Sequence, residues 1–450
     1  MRIPRFISEL AGPWAFRSMG ADVFGRLRWL EETAKWTLVQ RSQWRLQKLN
    51  AILEYCWAHV PFYQRYWRDH GLLGFKPLRS FEDLRDYPIL RKETYKANAS
   101  EMQSDQLAHI PHKRNSTGGT TGQPLQYCQD LELWSVSQAF NLMGWGWAGY
   151  RFGDPIGILG GYSLVPQKMR FRDKIRYAVE RKLALSGVHM EERLAREYHR
   201  RLQDFGAQIL YGYPSILSLF ASCLRQNALI LPQVKAVITT AEMLLPQYRR
   251  NIEGALPCKV WDQYGCNDGG VMSHECRMHT GHHYNDLQVV AELFDRSPDG
   301  SGALLLTNLW NRSMPFIRYE NGDIVSFAQA PCPCGAPYPL IRSVEGRTAD
   351  ILSFSNGRSL SGPALTLIFR NMDIDGWQVV LRGPDTLEVR VLAHKGWKEE
   401  QTAYVRQVFA THAGKDVVVD VIRVQTLETS PGGKLKPVWI KHAASHQAFG

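Results

Sequence analysis

Residues 115–124 read Asn-Ser-Thr-Gly-Gly-Thr-Thr-Gly-Gln-Pro, and no other stretch of the chain is as informative about its chemistry. The glycines permit positive φ and close approach of amide groups to an anion. Neutral hydroxyl donors are added by Ser116, Thr117, Thr120 and Thr121. The stretch lacks the Gly-Lys-Ser/Thr ending of a Walker loop and the G-x-G-x-x-G spacing of a dinucleotide fingerprint. It predicts a loop that binds polyphosphate, with an ordinary polar loop as the alternative.

The composition is typical of a globular enzyme with more than one domain. The chain has 450 residues, of which 44% are hydrophobic and 22% charged. This length exceeds the size at which a single core usually keeps growing. No apolar run approaches the ~18 residues that cross a bilayer, and the N-terminus has no apolar segment of a secretory signal. We therefore expect a soluble cytoplasmic protein, whose eight cysteines are too few for a secreted disulfide scaffold.

The positive net charge of the chain suits an anionic ligand. A net charge of +11 fits nucleotides, but the basic residues are spread along the chain, so no nucleic acid is expected as a partner. The N-terminal seventy residues mix basic residues with six aromatic ones: Trp14, Phe16, Phe24, Trp29, Trp36 and Trp44. These rings are candidates for peripheral membrane contact through the N-terminal helices. Burial against the main body is the favoured alternative, because aromatic side chains dominate cores.

The order of apolar patterns predicts an α/β fold. Residues 25–60 have helical spacing, and Pro61 is expected to end that helical segment. Short apolar runs then alternate with helical segments, two of which are expected over residues 174–185 and 192–205. From about residue 346, strand patterns and one amphipathic helix predict a compact α+β unit.

A second constellation has the chemistry of a metal site. Cys332 and Cys334 form a C-x-C pair, and Cys276 and a group of histidines precede them. Two thiolates with a distant Cys and His supply the four ligands of a closed, structural Zn²⁺ site, for which we select Cys276, His283, Cys332 and Cys334. The alternative is that these are separate reduced cysteines.

Taken together in this order, the Gly-rich loop and six further segments resemble the adenylate-forming superfamily, specifically its phenylacetate-CoA ligase and CapK-like branch. The resemblance covers nearly the full length, and the six segments are 60–63, 211–215, 262–268, 318–323, 346–350 and 433–436. It implies a large N-terminal adenylation domain over residues 1–345 and a small mobile C-terminal domain over 346–450. The former would include a helical extension over about residues 1–100 and a zinc-stapled β region over about 266–340. A similar Cys, Gly-x-His and C-x-C-G arrangement in that branch supports His283 over its neighbours.

The resemblance also implies which residues bind ATP and Mg²⁺. The loop residues that would hold the phosphates are Ser116, Thr117, Gly118, Gly119, Thr120, Thr121 and Gly122. The family's Tyr-Gly-x-Thr-Glu motif matches Tyr264 to Asp268, so that Tyr264 would pack near adenine and Asp268 would help to hold Mg²⁺. Gly265 and Asn267 belong to the same motif, in which Asn267 and Asp268 replace the family's Thr and Glu. Asp still offers hard oxygen ligands, but with a shorter reach, and a solvated loop acid is the alternative.

Three further residues are assigned by the resemblance. Asp323 would be the ribose ligand, Arg347 would contact the nucleotide near the domain boundary, and Lys434 would be the catalytic lysine. A turn residue, a surface arginine and a solvent-exposed tail lysine are the respective alternatives. Ala349 stands where relatives commonly carry a polar hinge residue.

The activity implied is ATP-dependent adenylation of an aryl or acyl carboxylic acid with release of pyrophosphate, followed by transfer to coenzyme A or another thiol. One alternative is an adenylyltransferase that acts on a hydroxyl or carrier acceptor without forming a thioester. Another is a CapK-like, catalytically reduced protein of polysaccharide biosynthesis. The acceptor pocket has aromatic candidates, each of which could equally be core: Trp145, Trp147, Tyr150, Tyr162, Tyr211 and Tyr213. A homodimer is left open.

Overall fold

The computed structural model describes residues 4–441 apart from 117–125, 163, 167, 188–189, 348–350, 361–364, 366–367, 370–371, 373, 394–396 and 431–432. The described helices are α1 (Arg5–Arg17), α2 (Val23–Thr33), α3 (Leu38–His59), α4 (Pro61–Asp69), α5 (Lys92–Asn98), α6 (Leu131–Trp147), α7 (Phe171–Val179), α8 (Glu192–Phe205), α9 (Pro214–Gln226), α10 (Pro246–Ala255) and α11 (Glu399–Ala413). The predicted α/β class is confirmed.

The strands follow in chain order. They are β1 (His112–Ser116), β2 (Gln126–Asp130), β3 (Ile156–Gly160), β4 (Lys182–Ser186), β5 (Ile209–Gly212), β6 (Ala236–Thr240), β7 (Lys259–Cys266), β8 (Val271–Glu275), β9 (His282–Tyr284), β10 (Val289–Phe294), β11 (Ser301–Asn308), β12 (Tyr319–Phe327), β13 (Leu340–Arg347), β14 (Leu352–Ser353), β15 (Ser359–Leu360), β16 (Gly376–Gly383), β17 (Thr386–Leu392), β18 (Val418–Arg423) and β19 (Val438–Ile440).

The chain divides into two compact units. The first comprises Met1–Pro155, Met169–Lys182 and Trp261–Val344, and the second comprises Ile156–Lys168, Leu183–Val260 and Glu345–Gly450. The division that the sequence predicts between residues 345 and 346 stays a prediction.

The first unit is built on strands in the order β10-β11-β12-β13-β9-β8-β7, with a separate β1-β2 hairpin. Helix α6 packs on β8, and Gly144 permits the close approach, since a Cβ there would lie 2.2 Å from the ring of His274. Helix α3 ends at His59, directly before Pro61, as predicted, and Pro61 then begins helix α4. At the first helical position, proline loses no hydrogen bond and its φ is already helical.

The second unit contains strands in the order β6-β5-β3-β4, of which β6, β5 and β3 run parallel. Strands β3 and β6 are buried along their whole length, as expected where helices cover both faces of a sheet. A second sheet, in the order β18-β17-β16-β19, packs with helix α11 through Val405 and Phe409. The predicted helix over residues 174–185 is partly wrong, because helix α7 ends at Val179 and the next residues form strand β4.

The N-terminal aromatic residues mostly pack inward. Phe16 is buried, and Phe24, Trp29 and Trp44 lie against the core of the first unit. The ring of Trp36 is tilted against that of Trp44 with centroids 6.3 Å apart, whereas Trp14 is 70% exposed. No helix in the described part of the chain is long and apolar enough to cross a membrane.

A buried ion pair joins the N-terminal helices to the β region of the first unit. Arg41 on α3 contacts Asp286, and their side chains are 3% and 5% exposed. Arg41 also donates to the carbonyl of Thr33 at 3.1 Å, and Arg45 approaches the same carboxylate at 3.6 Å. Because a buried charge without a partner is costly, these contacts fix α3 against the segment between β9 and β10.

Replacing Arg41 by methionine should lower the free energy of unfolding by about 3 kcal/mol, because it leaves Asp286 buried with a weaker partner. Urea denaturation measures the change. The matched control is Arg65→Met, which breaks a 2.7 Å pair with Glu101 whose side chains are both 50% exposed. That variant should lose less than about 1 kcal/mol. Similar losses in the two variants would contradict the role given to the buried pair.

Candidate active site and metal centre

Two strands of the first unit carry a polar network at the predicted nucleotide residues. The hydroxyl of Tyr264 on β7 donates to Oδ2 of Asp323 on β12 at 2.7 Å. The amide of Asn321 donates to the same oxygen at 2.7 Å and contacts the Tyr264 hydroxyl at 3.2 Å. Strands β7 and β12 are not neighbours in the strand order, so the sheet must curve for these side chains to meet.

Asp268 lies just beyond β7 and is held by two donors. The hydroxyl of Tyr319 donates to its Oδ2 at 3.0 Å, and the thiol of Cys266 donates to its Oδ1 at 2.8 Å. Tyr319, Asn321 and Asp323 all belong to β12, whose register against β11 shifts in this stretch. Side chains of this strand therefore orient both predicted acids. An aspartate offers the hard oxygen ligands that Mg²⁺ prefers, so Asp268 fits the predicted magnesium role.

The remaining nucleotide residues are only partly described. Ser116 ends strand β1, where it pairs with Gln126, while Thr117, Gly118, Gly119, Thr120, Thr121 and Gly122 lie outside the described residues. Gly265 is the penultimate residue of strand β7, and Asn267 is exposed in the turn that follows it. Arg347 ends strand β13, but its side chain and residues 348–350 are outside the description.

The second unit carries Lys434 near the carboxyl edge of its parallel strands. Its ammonium lies 5.9 Å from the ring centroid of Tyr213, which follows β5. The adjoining amide of Leu435 donates to a carboxylate oxygen of Glu242 at 2.5 Å, and Glu242 follows β6. The carboxyl ends of parallel strands meet at one edge of a sheet, where α/β proteins commonly bind ligands.

Glu242 is a feature that sequence reasoning missed. Its carboxylate also accepts the Ser215 hydroxyl at 2.6 Å, and burial raises its pKa to about 7. The preceding residue, Ala241, has a φ of 70°, a strained value for a residue with a Cβ. An acid directly after the buried strand β6 is the sequence signal that could have identified it. Asn321 was likewise missed, although it stands two residues before Asp323.

The structure brings the four predicted metal ligands together. One ligand atom from each of Cys276, His283, Cys332 and Cys334 lies within 4.8 Å of the others. Nε2 of His283 is 3.2 Å from the sulfur of Cys334, and the sulfurs of Cys276 and Cys332 are 3.6 Å apart. Nδ1 of His283 lies 2.7 Å from the carbonyl of Tyr338, a contact that orients Nε2 toward the thiols.

The surroundings of the cluster favour a bound cation. Burial lowers the pKa of His283, which favours the neutral imidazole that ligates metals. Burial also raises the pKa of the Cys276 thiol to about 12, so a thiolate there needs a positive charge beside it. The neighbouring histidines have other partners: His279 lies 3.0 Å from Glu275, and His282 lies 3.0 Å from Asp262. Four soft or borderline donors in this arrangement suit tetrahedral Zn²⁺.

A cavity of about 740 Å³ borders this cluster in the first unit. Trp147 and Tyr150, two of the aromatic candidates for an acceptor pocket, line it together with Cys276, Cys334 and Tyr338. Trp145 and Tyr213 are buried. The wall of the cavity therefore combines aromatic rings with the edge of the metal cluster.

The chain is similar in sequence and in structure to known proteins. No family model matches the sequence. The chain is 23% identical over 397 residues to a phenylacetate-coenzyme A ligase from Thermus thermophilus, covering 84% of each sequence. It is also 23% identical over 288 residues to protein CapK from Staphylococcus aureus, covering 62% of this chain and 61% of the relative.

Among solved structures, a 2-hydroxyisobutyryl-CoA ligase in the postadenylation state with R3-HIB-AMP superposes with a TM-score of 0.71. The identity is 20%, and the match covers 90% of both chains. The same ligase with 2-HIB-AMP and CoA in the thioesterification state gives a TM-score of 0.56 at 20% identity, over 90% of this chain and 91% of the other. These structures establish the fold. The chain is therefore similar in sequence to a phenylacetate-coenzyme A ligase and similar in fold to a 2-hydroxyisobutyryl-CoA ligase.

Proposed function

We propose that the chain activates a carboxylic acid with ATP, releases pyrophosphate, and then transfers the acyl group from the adenylate to coenzyme A. The observation that carries the proposal is the buried Asp323 carboxylate, which Tyr264 and Asn321 hold in one orientation. Asp323 stands at the family's ribose position. The Thermus relative is named a phenylacetate-coenzyme A ligase, and a ligase of the same fold binds 2-HIB-AMP, which supports this reading.

In the first step, an oxygen of the substrate carboxylate attacks the α-phosphorus of ATP. A new P–O bond forms while the bond to the bridging oxygen of pyrophosphate breaks, and negative charge is stabilised on the phosphoryl oxygens. The ammonium of Lys434 provides a fixed countercharge for those oxygens. Asp268 would hold Mg²⁺, which supplies further positive charge when bound.

The other residues bind and orient the nucleotide. Asp323 accepts hydrogen bonds from the ribose hydroxyls, and the Tyr264 ring lies beside adenine. Ser116 and the loop over residues 117–122 donate to the phosphates, and Arg347 contacts the nucleotide. These roles follow the family positions, and the hydrogen bonds to Tyr264 and Asn321 keep the Asp323 carboxylate in place for its role.

In the second step, the thiolate of coenzyme A attacks the acyl carbonyl carbon and AMP leaves with the bonding electrons. The rival acceptor is a hydroxyl group or a carrier. A further candidate is a catalytically reduced protein of polysaccharide biosynthesis, and the similarity to protein CapK is the reason to keep it. The substrate is an aryl or acyl acid. A cytoplasmic location and a homodimer remain proposals that the fold accommodates.

Pyrophosphate release over a panel of aryl, fatty and amino acids, with and without coenzyme A, tests this function. We expect pyrophosphate with at least one acid, and a thioester detected by mass spectrometry when coenzyme A is present. Lys434→Ala should lower the rate of pyrophosphate release by a factor of about 100 to 1,000, because the countercharge is lost in the transition state.

The matched control for that variant is Lys436→Ala. Lys436 lies two residues away, with its ammonium 5.4 Å from the ring of Trp439. The Lys436→Ala variant should retain most of the pyrophosphate-release activity. Equal losses in the two variants would refute the role of Lys434, and pyrophosphate release without any thioester would select the adenylyltransferase alternative.

Glu242 predicts a pH dependence of stability in the second unit. Burial raises the pKa of Glu242 from its ordinary value of 4.5 to about 7 in the folded chain, so between these pH values the folded state binds a proton that the unfolded state does not. The contribution of Glu242 to the free energy of unfolding is therefore fully present below pH 4.5 and is lost as pH rises through 7. The change is on the order of 3 kcal/mol, because each pKa unit corresponds to about 1.4 kcal/mol.

Glu242→Gln should flatten this dependence, since glutamine keeps an acceptor for Leu435 but does not titrate. Urea denaturation at pH 5 and pH 8 measures it, with Glu400→Gln, at an exposed position on α11, as the control. The control should keep the wild-type difference between the two pH values. An unchanged difference in Glu242→Gln would show that another group titrates.

The Cys/His cluster is proposed to hold a structural Zn²⁺ ion. Protein purified without chelator should contain about one zinc per chain, and removing the metal should lower the thermal midpoint by roughly 5 °C. Cys334→Ser should lose zinc, whereas Cys258→Ser, which changes a half-buried cysteine outside the cluster, should retain it. A zinc content well below one per chain, measured by mass spectrometry of the metal, would remove the proposal.

A further inference from the structure

Helix α1 buries one face against the protein and exposes large apolar side chains on the opposite face. Its inward face is formed by Ser8, Gly12, Ala15 and Phe16, which are buried. Its outward face carries large apolar side chains with high exposure: Phe6 at 61%, Ile7 at 41%, Leu10 at 76% and Trp14 at 70%. At 3.6 residues per turn these four fall within an arc of about 100°. The solvent side of the helix is therefore an apolar stripe.

The direction of this stripe is set by the packing of α1. Gly12 lies against Phe152, since a Cβ there would come within 2.4 Å of that ring. Phe16 inserts among rings of the same unit, at centroid distances of 5.9 Å from Phe24 and 6.3 Å from Phe152. Arg5 pairs with Asp154 at 3.6 Å. Because these contacts hold the opposite face, the helix cannot rotate its apolar stripe inward without losing them.

Helix α7 packs against α1 and extends the same kind of surface. Its Phe171 is 77% exposed and Ile175, one turn later, is 42% exposed. Around them the sequence from Arg170 to Arg176 reads Arg-Phe-Arg-Asp-Lys-Ile-Arg, with four basic residues and one acidic residue. Arg170, Arg172 and Lys174 are exposed. Basic side chains thus flank exposed apolar ones on a short amphipathic helix.

We propose that this face, formed by the outward residues of α1 and α7, binds an anionic lipid surface. Aromatic and aliphatic side chains enter the boundary between headgroups and acyl chains, while flanking lysines and arginines attract anionic headgroups. The 13 residues of α1 span only about 20 Å, so the helix lies in the plane of the interface and does not cross it.

Charge argues against a second copy of the chain as the occupant. A two-fold interface brings the same patch of both subunits together, so the net positive charge of this patch would meet an equal positive charge on the other copy. Like charges placed opposite one another disfavour such an interface. An anionic bilayer offers both the apolar phase and the negative charge. The proposal is independent of the catalytic function, since it uses none of the residues assigned to ATP or metal binding.

The test is co-sedimentation of the full chain with vesicles of phosphatidylcholine alone or mixed equally with phosphatidylglycerol. We expect at least about tenfold tighter partitioning onto the anionic vesicles, weakened by raised salt. The double variant Leu10→Gln, Trp14→Gln should lose about tenfold or more of the binding. Leu73→Gln, at a side chain that is 91% exposed elsewhere in the same unit, is the matched control and should bind as the wild type does.

The charge contribution is tested separately. Arg172→Gln combined with Lys174→Gln should lower binding to anionic vesicles about 20-fold, because each basic side chain near such a surface contributes about fivefold. The control, Arg193→Gln combined with Arg200→Gln on the exposed side of α8, should change binding less than about twofold. Unchanged pyrophosphate release would show that the variants are folded.

Three outcomes would overturn the proposal. The first is wild-type protein that stays in the supernatant with anionic vesicles. The second is a loss of binding that is the same in the face variants and in their controls. The third is self-association, measured by sedimentation equilibrium, that Leu10→Gln, Trp14→Gln abolishes while no vesicle binding occurs; the face would then belong to a second copy.

Discussion

An ionisable side chain removed from water needs hydrogen-bond donors or a countercharge, and this constraint organises both candidate sites of the chain. Asp323 is buried and is held by Tyr264 and Asn321. Glu242 is held by Ser215 and the amide of Leu435. In each case the partners that make burial tolerable also fix the direction of the carboxylate. Orientation for chemistry therefore follows from the requirements of folding.

The same constraint explains how a shorter acid can stand where the family carries glutamate. Asp268 has one methylene fewer than glutamate, so its reach depends on where its carboxylate is held. Tyr319, fully buried on β12, donates to one oxygen, and Cys266 donates to the other. Tyr319 and Asp323 both belong to β12. One strand thus orients both acids, which links the proposed metal ligand to the proposed ribose ligand.

Much of this arrangement was predictable from residue order, and the exceptions have physical reasons. Periodicity predicted the α8 helix over residues 192–205 because its apolar face repeats at helical spacing. It failed over residues 174–185, where a short strand follows a short helix without a clear break. Pro61 marks the end of α3 as predicted, but the new helix that begins at this residue was not predicted. The C-x-C spacing predicted two of the clustered sulfurs, but only the pairing of β8 with β9 shows how His283 reaches them. Glu242 could not be found by motif, since its importance lies in a contact with an amide 193 positions away.

The contact between Glu242 and the loop that carries Lys434 meets two requirements that ordinarily conflict. The loop must be anchored, and the ammonium must keep its charge for the phosphate. The base of the loop is tied by hydrogen bonds between Ser430 and Lys434, and Gly433 adopts a φ of 76° that a side chain would resist. Glu242 adds an anchor through the adjoining amide, and burial raises its pKa to about 7. A carboxyl group that is largely protonated below neutral pH accepts the amide without becoming a permanent counterion to Lys434. As pH rises and the group ionises, its negative charge competes with the phosphate for the same ammonium. An anchor of raised pKa therefore places no permanent negative charge beside Lys434 over the range in which the acid stays neutral, as the proposed role of this lysine requires.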